Sequence, residues 1–314
     1  MGQVLVRRVS GLLATLAVAS VLVFALIEVL PGDPAELMLG TDARADTLQA
    51  LRHEMGLDRP LLIQYAGWVS GMLRGDFGTS HTYHVPVLSL IGERLPVSLP
   101  LAIASLVLAV ALGLPGGVLA AARHQTWLDR YLRLKTQIVL ALPNFWLGML
   151  LVFIFAIYWH WLPAGGFPGW GSGLAAMRSL ILPVVALALP QAAILVRVMR
   201  QALLETLEDT SVMAARARGL SPRAALLHHA LPNALIPVLS VMGLQFSFLL
   251  AGTIIIENVF YLPGLGRLMF QAVTQRDLPV VAGASMVLVA SVVAVSFLVD
   301  LATHALDPRL RRRA

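Results

Sequence analysis

Apolar positions along the chain fall into six long runs, at about 9–30, 97–122, 136–161, 180–199, 234–256 and 280–301. Each is close to the ~20 helical residues that cross a hydrocarbon layer ~30 Å thick. Their interiors hold almost no charge. Backbone groups there must bond within the segment, so six transmembrane helices are expected. Arg7 and Arg8 precede the first run and Ala17-Val18-Ala19 resembles a signal cleavage site. That run is longer than a signal core of 7–15 residues, so an uncleaved first helix is expected. Prolines punctuate two spans: Pro143 in the third, and Pro183 and Pro190 in the fourth. A membrane proline frees a carbonyl that neighbouring protein or a wet cavity must satisfy. Asn144, Gln191 and Gln245 are the most polar side chains well inside spans. They are read first as helix–helix hydrogen bonders and second as candidate pathway-lining residues. Gly113 and Gly117 form a small-xxx-small pair, a spacing that 25 glycines supply easily by chance.

Between the spans the pattern changes. The segment 31–96 is too long for a hairpin, and helical spacing marks 47–55, where Leu48, Leu51 and Met55 share a stripe, and Leu61–Leu73. A further short helix is expected at 85–93. Tyr65 and Trp68 read as interfacial or packing aromatics. The connection 200–233 reads as two short helices and a turn. Asp209 or Thr210 caps the first helix, and Gly219 suits the left-handed residue that ends it. Ser221 and Pro222 then start the second as cap and first helical residue. Small alanines on one face of it offer a smooth, rigid knob to a partner.

Composition agrees with a membrane chain: 58% of the 314 residues are hydrophobic and 13% charged, against about half and a quarter in soluble domains. The net charge of +6 does not point to nucleic acid, because basic residues cluster between apolar runs as topology demands. One face collects Arg7 and Arg8, Arg123, Arg130, Arg133 and Lys135, then Arg197, Arg200, Arg216, Arg218 and Arg223, and finally Arg309, Arg311, Arg312 and Arg313. These make 15 of the 23 basic residues, so that face is cytoplasmic and both termini are inside. The opposite segment 31–96 carries five Arg against eight Asp and Glu. The organisation expected is therefore 1–30 as N-terminus and first span, 31–96 outside, and 97–314 as the core, with the loop 200–233 and the tail 305–314 in the cytoplasm.

Candidate chemistry is sparse. No cysteine is present, which removes disulfides and thiolate sites. Glu28 and Asp300 lie near span ends rather than at the midplane, so an ion relay has little to stand on. His160, between Trp159 and Trp161, fits an interfacial belt. The only lysine, Lys135, follows Leu134 instead of the glycine that a phosphate-binding loop requires. His81 and His84 read as a solvated pair rather than a metal site. No catalytic residue, metal site or bound cofactor is expected, and the energy for transport must come from another subunit.

The loop 213–232 resembles the EAA loop of ABC importer permeases. Ala214, Ala215, Gly219, Leu231 and Pro232 fall at its matching positions, while Met213 replaces the Glu and His229 the Ile. Beyond the loop, the chain is similar from end to end to the first permease of the dipeptide/oligopeptide/nickel group. The residues that carry this are Pro31-Gly32-Asp33-Pro34, Met55-Gly56-Leu57-Asp58-Arg59-Pro60-Leu61, Gly75-Asp76-Phe77-Gly78 and Glu93-Arg94-Leu95-Pro96. They continue with Leu142-Pro143-Asn144-Phe145-Trp146-Leu147-Gly148, Asn233-Ala234-Leu235-Ile236-Pro237-Val238, Pro263-Gly264-Leu265-Gly266-Arg267 and Leu306-Asp307-Pro308-Arg309. The resemblance implies an all-α, six-helix permease of the type I importer kind in a bacterial inner membrane. It implies a second homologous permease, two ATP-binding cassette ATPases on the loops, and an external substrate-binding protein. Peptides are the cargo it implies, with nickel, glutathione or another small solute as alternatives. A stand-alone secondary transporter or a membrane enzyme would need charged midplane or catalytic clusters that the chain does not display.

Overall fold

The computed structural model describes residues 2–29, 35, 44–54 and 56–306. The turn at 31–34, Met55, the tail 307–314 and the side chains of Arg7 and Asp300 lie outside the described residues. The helices are α1 (Gly2–Val29), α2 (Ala45–Glu54), α3 (Leu61–Leu73), α4 (Val87–Ala122), α5 (Trp127–Ala141) and α6 (Asn144–Leu151). They continue with α7 (Leu174–Leu207), α8 (Thr210–Ala217), α9 (Pro222–Ala225), α10 (Leu231–Val259), α11 (Leu265–Gln275) and α12 (Leu278–Leu306). Among the described residues the only β pairing is an isolated bridge between Thr79 and Pro86. Five helices are individually long and apolar enough to cross a membrane, and a bent pair supplies the sixth span.

That bent pair corrects the expectation of one helix over 136–161. Proline restricts the residue before it, and Leu142 is extended at φ −90, ψ 128. The helix stops there, and α6 leaves at 101° to α5. It restarts with Leu147 N–H on the Pro143 carbonyl and passes into π-helical turns over Val152–Tyr158. Pro183 and Pro190, by contrast, stay inside an unbroken α7. The short helix expected at 85–93 is the start of α4 itself, which runs 36 residues. Without a glycine or cap between Glu93 and Val97, nothing ends it.

By density of internal contacts the chain divides into two units, one built on 97–267 with the chain from 294, the other on 2–96 with 268–293. The organising element of the first is α7, with 72% of its apolar window buried. One core joins Val97 and Leu101 of α4, Leu147 of α6, Leu187 of α7 and Leu249 and Ile256 of α10. A second, built on small residues, joins Ala109 and Ala121, Ala192 and Met199, Ala230 and Ala234. The Gly113–Gly117 spacing is used here. A Cβ at Gly113 would stand 2.6 Å from Leu195 Cβ, and one at Gly117 2.5 Å from Met199 Cβ and 2.9 Å from the Val196 carbonyl. The α4 backbone lies directly on α7, as small residues allow in membranes.

A buried carboxylate fixes the far end of α10. Ser98 Oγ donates to Glu257 Oε1 at 2.6 Å and accepts from Leu265 N–H at 2.7 Å. Arg267 N–H reaches Glu257 Oε2 at 3.0 Å. Gly264 is glycine because a Cβ there would overlap that carboxylate. The Pro263-Gly264-Leu265-Gly266-Arg267 turn thus wraps one acidic group. Glu257→Ala leaves its buried donors unpaired, at about 1–3 kcal/mol each. Heat-induced unfolding in detergent should begin at clearly lower temperature than in the wild type, with Glu257→Gln in between.

In the second unit Asp277 plays a similar part. It accepts Ser80 Oγ at 2.5 Å and the N–H groups of His81 and Thr82, both at 3.2 Å. The expected solvated histidine pair is corrected by this arrangement. His81 is partly buried, and its Nδ1 is a buried atom with no partner among the described residues. Burial lowers the His81 pKa below the ordinary value, the Asp277 carboxylate opposes this, and His84 adds to it. The unfolded chain therefore takes up a proton at His81 more readily than the folded one, and stability falls as pH drops below the unfolded value. Thermal unfolding measured from about pH 7.5 to about pH 5.5 should show an acid-side loss that His81→Gln reduces.

Candidate functional site: the loop between the fourth and fifth spans

The loop forms from local rules. Asp209 precedes α8 in an extended conformation without a side-chain cap, while its carbonyl accepts Val212 and Met213 N–H, both at 3.0 Å. The helix ends in a Schellman turn, with Gly219 N–H on the Arg216 carbonyl at 2.9 Å and Leu220 N–H on the Ala215 carbonyl at 3.3 Å. Gly219 sits at φ +97, which explains the glycine. Ser221 then caps α9, accepting Ala224 N–H at 3.3 Å, with Pro222 at its first position. The second helix does not stop before the fifth span. It continues through π-helical Leu226–Ala230 into α10. The chain is thus helical without a break from Pro222 to Val259.

Two faces separate. Val212, Ala215, Ala225, Leu226 and Ala230 are buried, and the last of these belongs to the small-residue core. Met213 is 53% exposed and Leu227 49%. Ala214, Gly219, His228, His229 and Pro232 are also exposed, and Leu231 is partly buried. The expectation that the alanines share one outward face is corrected. Successive helical residues point about 100° apart, so Ala214 faces out while Ala215 packs inside. The residues the loop leaves exposed include Met213, Ala214 and Leu227, together with Arg216, Arg218 and Arg223.

Behind the loop, Arg200 at the end of α7 forks onto the buried Asp129 of α5, Nε at 2.7 Å and Nη2 at 2.9 Å. Arg133 Nε lies 3.6 Å from the same carboxylate. Beside the pair is a polar cavity of about 370 Å³ lined by Arg133, Gln137, Arg197 and Gln201. Sequence reading counted Arg133, Arg197 and Arg200 as topology markers and missed the acceptor. An acidic residue in a strongly basic stretch was the available signal.

Gln191 and Gln245 make no hydrogen bond to each other. Gln191 and Gln245 are buried. Gln191 Oε1 and both polar atoms of Gln245 make no hydrogen bond to described residues, so the helix–helix bonding read from sequence is not seen. Asn144, at the start of α6, is partly buried. Its Nδ2 lies 3.7 Å from where a Gly252 Cβ would stand. No group of three or more potential metal ligands occurs among the described residues.

Residues 113–312 match the family model of the binding-protein-dependent transport system inner membrane component, and residues 1–102 match that of its N-terminal region. The chain is 38% identical to a probable peptide ABC transporter permease of Sinorhizobium fredii, over 99% of this chain and all of that one. It is 38% identical to a putative peptide transport system permease of Brucella abortus, over 99% of both. It is also 38% identical to the glutathione transport system permease of Escherichia coli K12, over 98% of both. In fold it is similar to a chain of the MetNI methionine ABC transporter, with TM-score 0.56 and 21% identity over 70% of this chain and 97% of that one. A chain of an amino acid ABC transporter gives 0.53 at 17% identity, over 69% and 94%. With end-to-end relatives at this identity and a type I permease fold, the chain is a multi-pass membrane protein that belongs to the family of binding-protein-dependent transport system inner membrane components.

Proposed function

We propose that this chain is one of two permease subunits of an ATP-driven importer of peptides, and that the hairpin Thr210–Ala230 is where an ATPase subunit grips it. The observation that carries the reading is the separation of faces on the hairpin. It exposes Met213, Ala214 and Leu227 and roots its other side in the α7–α10 core. A rigid knob continuous with a transmembrane helix can turn closure of an ATPase pair into reorientation of the spans, as alternating access requires. In this reading the loop and both termini are cytoplasmic, following the basic-residue count, and a binding protein delivers cargo on the opposite side. The chain holds no cofactor of its own. ATP is consumed by two partner ATPases, and a second, homologous permease completes the pathway. Peptide cargo follows the names of the Sinorhizobium and Brucella relatives, while the Escherichia coli relative makes glutathione the second cargo to test.

The test is uptake by the complete complex reconstituted in vesicles with its binding protein. Labelled di- and oligopeptides should accumulate only with hydrolysable ATP. Accumulation without nucleotide would overturn the importer reading. Uptake of glutathione in place of peptides would move the cargo and keep the mechanism.

A further inference from the structure

Helix α3 is thirteen residues without a charge, bracketed by Asp58 and Arg59 before it and by Arg74 and Asp76 after it. At about 1.5 Å per residue it is ~20 Å long, too short to cross ~30 Å of hydrocarbon. An apolar helix of that length is either a buried core helix or an interfacial or re-entrant one. It is not a core helix, because none of its residues is buried. Leu62 is 81% exposed and Leu73 84%, and with Ala66 they share one helical face.

An adjoining face of α3, that of Tyr65 and Trp68, rests on α1. Tyr65 Oη and Ser20 Oγ are 2.7 Å apart. The Phe24 ring meets Tyr65 edge-on at 5.4 Å and Trp68 at 5.8 Å. Ser20 and Phe24 are not at the end of their span. The apolar stretch of α1 runs Arg8–Val29, which places Ser20 about 13 Å and Phe24 about 7 Å from Val29 along the axis. A helix whose side chains pack at that depth cannot itself stand in water.

We infer that α3 lies within the bilayer, in the leaflet at the C-terminal end of α1, with lipid acyl chains covering Leu62, Ala66 and Leu73. α1 is itself open to lipid: its apolar window is only 6% buried, and Leu22 and Leu26 are exposed on the side away from Ser20 and Phe24. A helix satisfies its own backbone groups in lipid. The Tyr65 hydroxyl, which would otherwise be stranded, has Ser20 as its partner. Arg59 and Arg74 can reach headgroups from the two ends. At the exit, Asp76 N–H bonds back to the Gly71 carbonyl at 2.9 Å and Gly75 sits at φ +84, which turns the chain away from the helix. By the orientation proposed above this is the outer leaflet, so 31–96 is not wholly external. The embedding itself does not depend on that orientation or on the cargo.

Since the chain has no cysteine, single spin labels can be placed directly. Leu62→Cys and Leu73→Cys are labelled in the complete transporter in phospholipid vesicles, with Leu22→Cys on α1 and Thr47→Cys on the polar helix α2 as references. Collision with oxygen and with a water-soluble nickel chelate present on both sides is then measured. Leu62 and Leu73 should match Leu22, with high oxygen access and loss of nickel access, and be the reverse of Thr47. Nickel access like that of Thr47 at both positions would overturn the inference by placing α3 in water. Shielding from both reagents would overturn it by showing that a protein surface covers the face.

Discussion

Replacing Gly219 with valine is expected to abolish ATP-dependent uptake while leaving the amount of permease in the membrane near normal. The residue sits at φ +97, and nothing lies within 4 Å of the position a Cβ would take. No clash is involved. The penalty is backbone strain, about 1–2 kcal/mol for an ordinary side chain in left-handed space and more for a β-branched one. The turn can shed that strain by abandoning its two Schellman bonds, which re-aims α8 against α9. The transmembrane cores do not pass through the turn, so insertion survives. Uptake per assembled complex and co-purification of the ATPases are the readouts. Gly219→Asn, which tolerates positive φ, should retain part of the activity. Normal uptake by Gly219→Val would sink the coupling role of the hairpin.

Gly117→Leu should fail at an earlier stage, with little or no folded permease recovered. Here the obstacle is a backbone atom and a Cβ fixed to the backbone: the Val196 carbonyl at 2.9 Å and Met199 Cβ at 2.5 Å from the added Cβ. Neither is the far end of a flexible side chain, so α4 and α7 must part. Overpacking alone costs about 1–3 kcal/mol. Separating these helices also opens the small-residue core that roots α10. Fluorescence-detected size-exclusion of the tagged chain should show aggregate in place of a monodisperse peak. Gly116→Ala is the milder control, since its nearest neighbour is the terminal Val196 Cγ2 at 2.9 Å. A monodisperse peak for Gly117→Leu would mean that the contact between α4 and α7 is not tight.

Much of this was legible beforehand where the cause is local. The span count follows from apolar length. The hairpin follows from residues whose backbone preferences act within four positions: Gly219 at its positive φ, and Ser221 and Pro222 at a helix start. The boundaries of Leu61–Leu73 were read correctly because apolar spacing, Pro60 and Gly75 act on the same short stretch. Glu257 and Asp129 were not legible as anchors. Their partners Ser98 and Arg200 lie 159 and 71 positions away, and no local pattern announces such a pairing. Gly113 and Gly117 had the right spacing, but spacing does not say which helix presses on it.

The sequence by itself determined that the chain is a membrane protein with apolar runs for six spans and basic residues clustered between them. Hydrophobic length and charge distribution are properties of the chain alone. Tertiary structure decided which of two adjacent alanines faces outward, where the third span breaks and how sharply, and which glycines are contact points. It also decided that an apolar helix placed outside by its position in the sequence rests against the middle of the first span. Periodicity fixes the angle between neighbouring residues on a helix, but only the packed partners fix which direction is inside.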